Sequence, residues 1–405
     1  MKIVCVGGGP AGLYFSILMK GQDSGHDITV FERNPAGSTY GWGVTYWLDL
    51  LDRLQEHDAP TARAIRDSSV RWTDGVAHLR DQRTVHRGDE GFSIGRRRLL
   101  DILAERAGEL GVQVRFERQI ESLADLPDAD LVVAGDGVNS RLRQAHPERF
   151  GTAVTVGRNK YIWLGTSKVF DSFTFSFAET AAGWIWCYAY GFSGELSTCI
   201  VECSPETWTG LGLDTLGEGE SLALLERIFA RQLDGHPLIN RPDGGGAAPW
   251  LNFRTMTNER WHHGNLVLLG DAAHTTHYSI GAGTKLALED AIALAGALGR
   301  HADLAAALPA YEKERKYSLL STQSAARYSA QWYESIPRYV HLKPPQLFAL
   351  LGQRHSPLLP YLPPLMYYRI HQATEEFTPV RRLRKWLGPR VARTLQALPS
   401  GARQD

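Results

Sequence analysis

Cysteine is scarce in this chain: Cys5, Cys187, Cys199 and Cys203 are the four among 405 residues. Each lies in an apolar or strand-like stretch and none forms a C-x-x-C pair, which excludes a zinc knuckle and a disulfide scaffold and points to a reducing cytoplasm. Net charge is missing too. With 44 Lys+Arg against 44 Asp+Glu, no global field exists to gather nucleic acid or an anionic membrane. Long apolar runs are also absent. The start, MKIVCVGGGPAGLYFSILMK, is broken by glycines and Pro10 well short of the roughly 18 apolar residues a spanning helix needs, so it reads as neither signal nor anchor. His262-His263 and the other histidines lack metal-ligand spacing, which predicts no metal site. What the chain does hold is aromatic surface for a flat ligand, 11 Trp, 15 Tyr and 14 Phe in an otherwise ordinary globular composition. At roughly 150 residues per domain, its length gives two to three domains or one large interlocked fold.

Residues 2–6 are a short β-branched run, the turn Gly7-Gly8-Gly9-Pro10-Ala11-Gly12 follows, residues 13–20 read as a helix and residues 28–32 as the next strand. That is a β-α-β unit. Helical spacing returns at Arg96, Leu99 and Leu103, with strands near 112–116 and 131–134. From about 152 to 202 the texture changes to aromatic alternation, as in Phe173-Thr174-Phe175-Ser176-Phe177, which predicts a separate antiparallel sheet. Residues 266–269 bring back a buried strand, and residues 284–298 are an Ala/Leu-rich helix. The expected fold class is α/β: a discontinuous Rossmann-like, dinucleotide-binding domain (1–75, 95–150 and 255–300), an inserted antiparallel substrate-binding sheet (76–94 and 151–254), and C-terminal helices (301–405).

Gly7, Gly9 and Gly12 satisfy G-x-G-x-x-G between a strand and a helix, and an acid, Glu32, ends the second strand. Glycine permits the tight turn and close backbone approach, the helix N-terminus faces a pyrophosphate, and Glu32 can accept from a ribose. Pro10, Ala11 and Arg33 belong to the same candidate cofactor set. Far downstream, Gly270-Asp271 follows a strand and precedes Gly281-Ala282-Gly283-Thr284 at a helix start. An Asp there can bind a sugar hydroxyl, and the glycine loop can offer N–H groups to an electron-rich ring. Taken alone, Asp271 also reads as a helix cap.

These motifs, with Asp136-Gly137-Val138-Asn139-Ser140-Arg141 as a DG turn between them, resemble the FAD-dependent aromatic hydroxylase family of the para-hydroxybenzoate hydroxylase type. The resemblance implies non-covalent FAD. It assigns Asp136 and Gly137 to FAD and the transient NADH or NADPH, and Arg96 to the flavin's ribityl or phosphate region. Spacing alone equally allows Arg96 as an exposed helix-start arginine and Asp136 as an ordinary turn residue. In the family NAD(P)H reduces FAD, O2 adds to give a C4a-hydroperoxyflavin, and its distal oxygen passes to an electron-rich ring. No second G-x-G-x-x-G stands between a strand and a helix, so no dedicated nicotinamide domain is expected.

Gly41-Trp42-Gly43-Val44, the segment Gly157-Arg158-Asn159-Lys160-Tyr161-Ile162-Trp163 and His277-Tyr278-Ser279-Ile280-Gly281 narrow the resemblance. They are similar to the subgroup holding salicylyl-CoA and anthraniloyl-CoA hydroxylases and the violacein-pathway indole hydroxylase. His277 and Tyr278 stand where most of the family carries prolines beside the flavin, and they are the candidate catalytic residues; a packed loop is the plainer reading. Trp42 either covers the cofactor or sits in an exposed turn. Trp184, Trp186 and Tyr188 share one strand face and either wall a substrate pocket or fill an ordinary core. The resemblance favours an aryl-CoA thioester as the small-molecule substrate, its phosphates meeting Arg381–Arg393, Arg327 or Arg338. Alternatives are an indole or other free aromatic, a flavin halogenase or epoxidase, and a non-enzymatic binding protein on the same fold. Trp184-Ile185-Trp186 partly matches a halogenase signature, but Tyr188-Ala189 replaces its Ile-Pro.

Overall fold

The computed structural model describes residues 1–39, 41–241, 247–376, 390 and 394. Six strands form one sheet in the order His262–His263, Leu266–Leu268, Leu131–Ala134, Lys2–Val6, Asp27–Phe31 and Gln113–Arg115. All pairings are parallel except that of the two-residue edge strand. Leu131–Ala134 is buried at every residue and Lys2–Val6 from Ile3 onward, as parallel strands covered on both faces are. The helix Pro10–Gln22 starts with proline at its first position, where the fixed φ suits the helix and the missing N–H costs nothing. It packs into one core with the helices Arg96–Glu109 and Gly283–Arg300, through Leu13, Ile17, Leu99, Leu103, Leu286 and Leu294.

A second, nine-stranded sheet runs Leu238–Ile239, Thr152–Thr166, Ser197–Cys203, Gly183–Gly191, Phe173–Thr180, Val70–Leu79, Gln82–Gly95 and Gly43–Tyr46, with Leu251–Asn258 also paired to Thr152–Thr166. Its pairings are antiparallel apart from Val70–Leu79 with Phe173–Thr180. The boundaries drawn from sequence at 75/76 and 254/255 fall inside Val70–Leu79 and Leu251–Asn258, and Gly43–Tyr46 pairs here as well. The cause is cross-strand pairing, which composition does not display: Val70–Leu79 is held between its hairpin partner Gln82–Gly95 and the distant strand Phe173–Thr180.

Alternation along Gly183–Gly191 divides this sheet's two faces. Ile185, Cys187 and Ala189 join one core, while Trp186 and Tyr188 point to another with Ile200, Trp332 and Tyr333. The helix Leu304–Glu334, capped by Asp303 through the Ala306 N–H at 2.8 Å, runs from the parallel-sheet core to this aromatic face. Pro344–Gly352 packs there too. The four cysteines are buried free thiols. Among the described residues no helix is long and apolar enough to cross a membrane, and no three His, Cys, Asp or Glu side chains group to hold a metal.

Candidate active site

Glycine is required where the nucleotide-type turn is tightest. Gly7 has φ +105°, and a Cβ there would lie 2.3 Å from the Gly135 carbonyl oxygen; a Cβ on Gly12 would lie 2.3 Å from that of Gly7. Gly9, the N-cap of Pro10–Gln22, faces open space. Gly270 draws the distant segments together: at φ +61°, its added Cβ would sit 3.0 Å from the Ala11 Cβ and 3.5 Å from that of Ala287. The first turn of Pro10–Gln22 and the second turn of Gly283–Arg300 therefore meet at the Gly270-Asp271 turn. Ala282 is the second helix's N-cap, with Gly283 and Thr284 its first residues, and Gly281 (φ +63°) turns the chain into it. Unpaired N–H groups at such termini suit anionic groups.

Glu32 holds this loop in shape. One carboxylate oxygen accepts the Gly8 N–H at 2.7 Å and the other accepts from the Asn34 backbone and side-chain nitrogens at 2.8 and 2.6 Å. The neighbouring Arg33 is exposed. Arg96 donates its backbone N–H to the Trp42 carbonyl at 2.8 Å, while its side-chain Nε is buried without a partner. Desolvation lowers the guanidinium pKa against the opposing pull of Asp271 and Glu32. Asp271 is accessible yet ringed by protein, as in a deep cleft; desolvation raises its carboxyl pKa, with His274 and Arg96 acting the other way. Asp136 caps the turn by accepting the Arg141 N–H at 2.8 Å, and its second oxygen is buried with no partner of hydrogen-bonding geometry. Gly137, at φ +83°, has no atom within reach of an added Cβ. Buried polar atoms normally find partners, so these orphans beside a glycine cradle fit a large polar cofactor such as FAD.

Sequence reasoning passed over the group that fixes the Gly270 turn. Asp290 accepts the Gly270 N–H at 3.2 Å, contacts His274 Nε2 at 2.9 Å and pairs with Arg315 Nε at 2.7 Å. Burial pushes its pKa up, but His274 and Arg315 outweigh that and leave it below the ordinary range. The signal available was Asp290 standing inside the apolar run Leu286–Leu294, where an acid needs a buried partner.

His277 and Tyr278 lie where the loop between the two cofactor motifs meets the aromatic face of the large sheet. The Tyr278 ring has the rings of His277 at 4.3 Å, Tyr161 at 4.5 Å, Phe253 at 5.5 Å and Tyr188 at 6.2 Å. His277 contacts the Ser279 hydroxyl through Nδ1 at 2.8 Å, and burial together with nearby Arg354 lowers its pKa to about 3. It is a neutral imidazole near neutral pH. The Tyr278 hydroxyl donates to Glu202 at 2.8 Å. Glu202 is 1% exposed, in register with Trp186 on one neighbouring strand and Tyr161 on the other, and accepts the Asn159 amide at 2.7 Å. Desolvation raises its pKa to about 7 against the hydrogen bonds from Asn159 and Tyr278. The indole N–H of Trp186 is near enough to favour the charge without reaching hydrogen-bonding geometry. Glu202 was also missed, although a lone carboxylate in Cys199-Ile200-Val201-Glu202-Cys203 is a visible anomaly.

The three candidate pocket aromatics share one cluster but meet different partners. Tyr188 reaches Tyr278, Trp186 stacks on Tyr333 at 6.0 Å, and half-buried Trp184 lies under Arg80 at 5.5 Å. Trp42 is buried, and a Cβ on Gly165 would come within 2.6 Å of its ring. Of the basic residues considered for phosphates, Arg338 donates to the Pro360 and Leu362 carbonyls at 2.8 and 2.5 Å, and Arg327 to the Tyr328 hydroxyl at 2.9 Å. Arg381, Arg382, Arg384, Lys385 and Arg393 lie outside the described residues.

The FAD binding domain family matches residues 127–319. The chain is 38% identical over 349 residues to a salicyloyl-CoA 5-hydroxylase of a Streptomyces species, covering 84% of this chain and 66% of that protein, just under two thirds. It is 36% identical over 345 residues to the 3-hydroxy-4-methyl-anthranilyl-(aryl-carrier protein) 5-monooxygenase of Streptosporangium sibiricum, covering 83% and 90%. To the protodeoxyviolaceinate monooxygenase of Chromobacterium violaceum it is 33% identical over 371 residues, covering 89% and 96%. Its fold is similar to that of a 2-methyl-3-hydroxypyridine-5-carboxylic acid oxygenase, with TM-score 0.65, 18% identity and 82% and 90% coverage.

Proposed function

The chain belongs to the FAD-dependent aromatic hydroxylases of the para-hydroxybenzoate hydroxylase type, and from that premise we propose that it hydroxylates an aromatic ring carried as an acyl thioester, with NAD(P)H and O2 as co-substrates, in the cytoplasm. The observation carrying the thioester is that the relatives at 38% and 36% identity are named for aryl groups on CoA and on an aryl-carrier protein.

FAD, when bound, supplies the redox chemistry and the activated oxygen. The chain's own groups do the rest. Gly7, Gly9 and Gly12 give the backbone its close approach, the two helix N-termini favour anionic groups, and Glu32 and Asp271 accept from hydroxyls. Arg96 and Asp136 offer the polar atoms left without partners. Tyr161, Tyr188, Phe253 and Tyr278 wall an apolar box that orients the ring and keeps water from it. Neutral His277 carries no imidazolium proton for general-acid catalysis, so it acts as a wall and, through its one N–H and one bare ring nitrogen, as a hydrogen-bonding group.

The test is a panel of aryl-CoA thioesters, the corresponding free acids and indoles, scored by stimulated NAD(P)H oxidation and by product mass. The reading requires a product heavier by one oxygen from a hydroxy- or amino-aryl thioester. Turnover of free acids or indoles alone would remove the thioester and leave the hydroxylase. A chlorinated product in chloride would point to halogenation instead.

A further inference from the structure

Glu202 is a buried carboxylate whose two oxygens have distinct partners. Oε1 accepts the Asn159 Nδ2–H at 2.7 Å and Oε2 accepts the Tyr278 O–H at 2.8 Å. Among the described residues no cation is paired with it. The titratable groups facing it are Tyr161 and Tyr188 from the neighbouring strands, Tyr278 from the loop, and Tyr333 and Glu334 from the long helix, with Cys203 beside it on its own strand. The Arg354 guanidinium also acts on this face, felt by Tyr333 and His277. The Tyr188 hydroxyl, in a residue 4% exposed, has no partner at all. The box therefore holds a polar group whose hydrogen bonding is unmet.

A phenol has one proton to donate. Because that of Tyr278 is committed to Glu202, its oxygen faces any ligand as an acceptor only. We propose that Glu202 fixes the hydrogen-bond polarity of Tyr278, so that the box accepts a hydrogen bond from its substrate's ring substituent and selects hydroxy- or amino-substituted rings over rings whose substituent only accepts. This rests on the reading above that Tyr278 meets the substrate ring. Glu202 acts through Tyr278 and is a positioning residue. It also joins selection to chemistry, since donor substituents of this kind are the ones that enrich a ring in electrons for oxygen transfer.

Asn159 makes the inference sharp. In Glu202→Gln the amide must keep its oxygen toward the Asn159 N–H, because two NH2 groups repel, and its own NH2 then faces Tyr278. Tyr278 now accepts from Gln and turns its O–H outward. The preference should invert. Protonation of Glu202, whose pKa burial raises to about 7, lets its own O–H donate to Tyr278 and has the same sense.

The experiment measures calorimetric affinity of the FAD-loaded protein for 2-aminobenzoyl-CoA and 2-methoxybenzoyl-CoA, whose aryl groups do not titrate between about pH 5.5 and about pH 8 and whose CoA phosphate, with a second pKa of about 6, is common to both and cancels in the ratio. At the higher pH the unaltered protein should favour the amino ring by about tenfold or more, as expected where the loser leaves a buried group unpaired. The ratio should shrink at the lower pH, invert in Glu202→Gln and vanish in Tyr278→Phe at both. A ratio near one in the unaltered protein, or an unchanged ratio in Glu202→Gln, overturns the inference. Should Glu202→Gln not fold, the pH dependence and Tyr278→Phe decide. If the thioesters fail to bind but free 2-aminobenzoate and 2-methoxybenzoate show the ratio and its inversion, the polarity stands and the thioester reading falls. Binding of neither pair overturns both.

Discussion

Asp290 and Glu202 are both buried carboxylates, 0% and 1% exposed, in opposite surroundings. Asp290 has Arg315 at 2.7 Å, His274 at 2.9 Å and the Gly270 N–H at 3.2 Å, and its pKa lies below the ordinary range. Glu202 has an amide and a phenol, no cation among the described residues, and a pKa of about 7. In the cofactor half a fixed charge locks a backbone turn. In the aromatic half the charge is convertible and sits against the Tyr278 hydroxyl. Burial alone therefore does not say what a carboxylate is for; its partners do.

The largest effect should come from breaking the first arrangement. Arg315→Met leaves Asp290 and Glu289 buried without their shared guanidinium, and removing one partner of a buried pair costs about 3–5 kcal/mol. The denaturant midpoint of the apoprotein measures this. A loss below about 1 kcal/mol would mean that the cluster does not anchor the Gly270 turn.

Next comes a pH dependence of opposite sign at the two carboxylates. Between an ordinary 4.5 and about 7 the folded protein holds a proton on Glu202 that the unfolded chain has lost, so this group's contribution falls as pH rises through that window, by on the order of 3 kcal/mol. Asp290 does the reverse: its lowered pKa gives stability that is lost as pH falls through the carboxylate range. His277, lowered from 6.5 to about 3, likewise destabilises the fold as pH drops below 6.5. Because these windows overlap, the measurement is the difference in unfolding free energy between the unaltered protein and Glu202→Gln. That difference should decline from acid toward neutral pH; a flat difference removes the convertible charge.

A smaller loss is expected at the cofactor. Asp271→Ala deletes an acceptor in the cleft while the Asp290 cluster still holds the turn, so FAD affinity should fall about 10- to 100-fold, the range for a hydrogen bond to a charged group. Flavin retained per chain after dialysis checks it, and unchanged occupancy would take Asp271 out of the cofactor set.

The two halves also differ in what the residues disclosed. The G-x-G-x-x-G turn was legible because backbone contacts of 2.3 Å admit no side chain at Gly7 or Gly12, so the fold writes itself as glycine. The strand boundaries at Val70–Leu79 and Leu251–Asn258 were not, because strand identity there depends on partners far along the chain. Tyr278 was found by its place in a loop, but its partner is 76 residues upstream on another strand. Glu202 and Asp290 each broke an apolar run, and attention to that anomaly would have found both.

Trp184 tests the comparison most gently. Spacing groups it with Trp186 and Tyr188 on one strand face, yet it lies opposite Glu179 at the strand's start, half-buried beneath Arg80, while its companions reach Tyr333 and Tyr278. An exposed cation–π contact is worth about 0.5–1 kcal/mol. Trp184→Leu should cost no more than that in unfolding free energy and leave affinity for an aryl ligand unchanged. Trp186→Leu, which removes the ring in register with Glu202, should weaken that affinity. Equal losses of ligand affinity in the two variants would extend the box along the whole strand and make a shared face, rather than contact with Glu202 and Tyr278, the property that defines it.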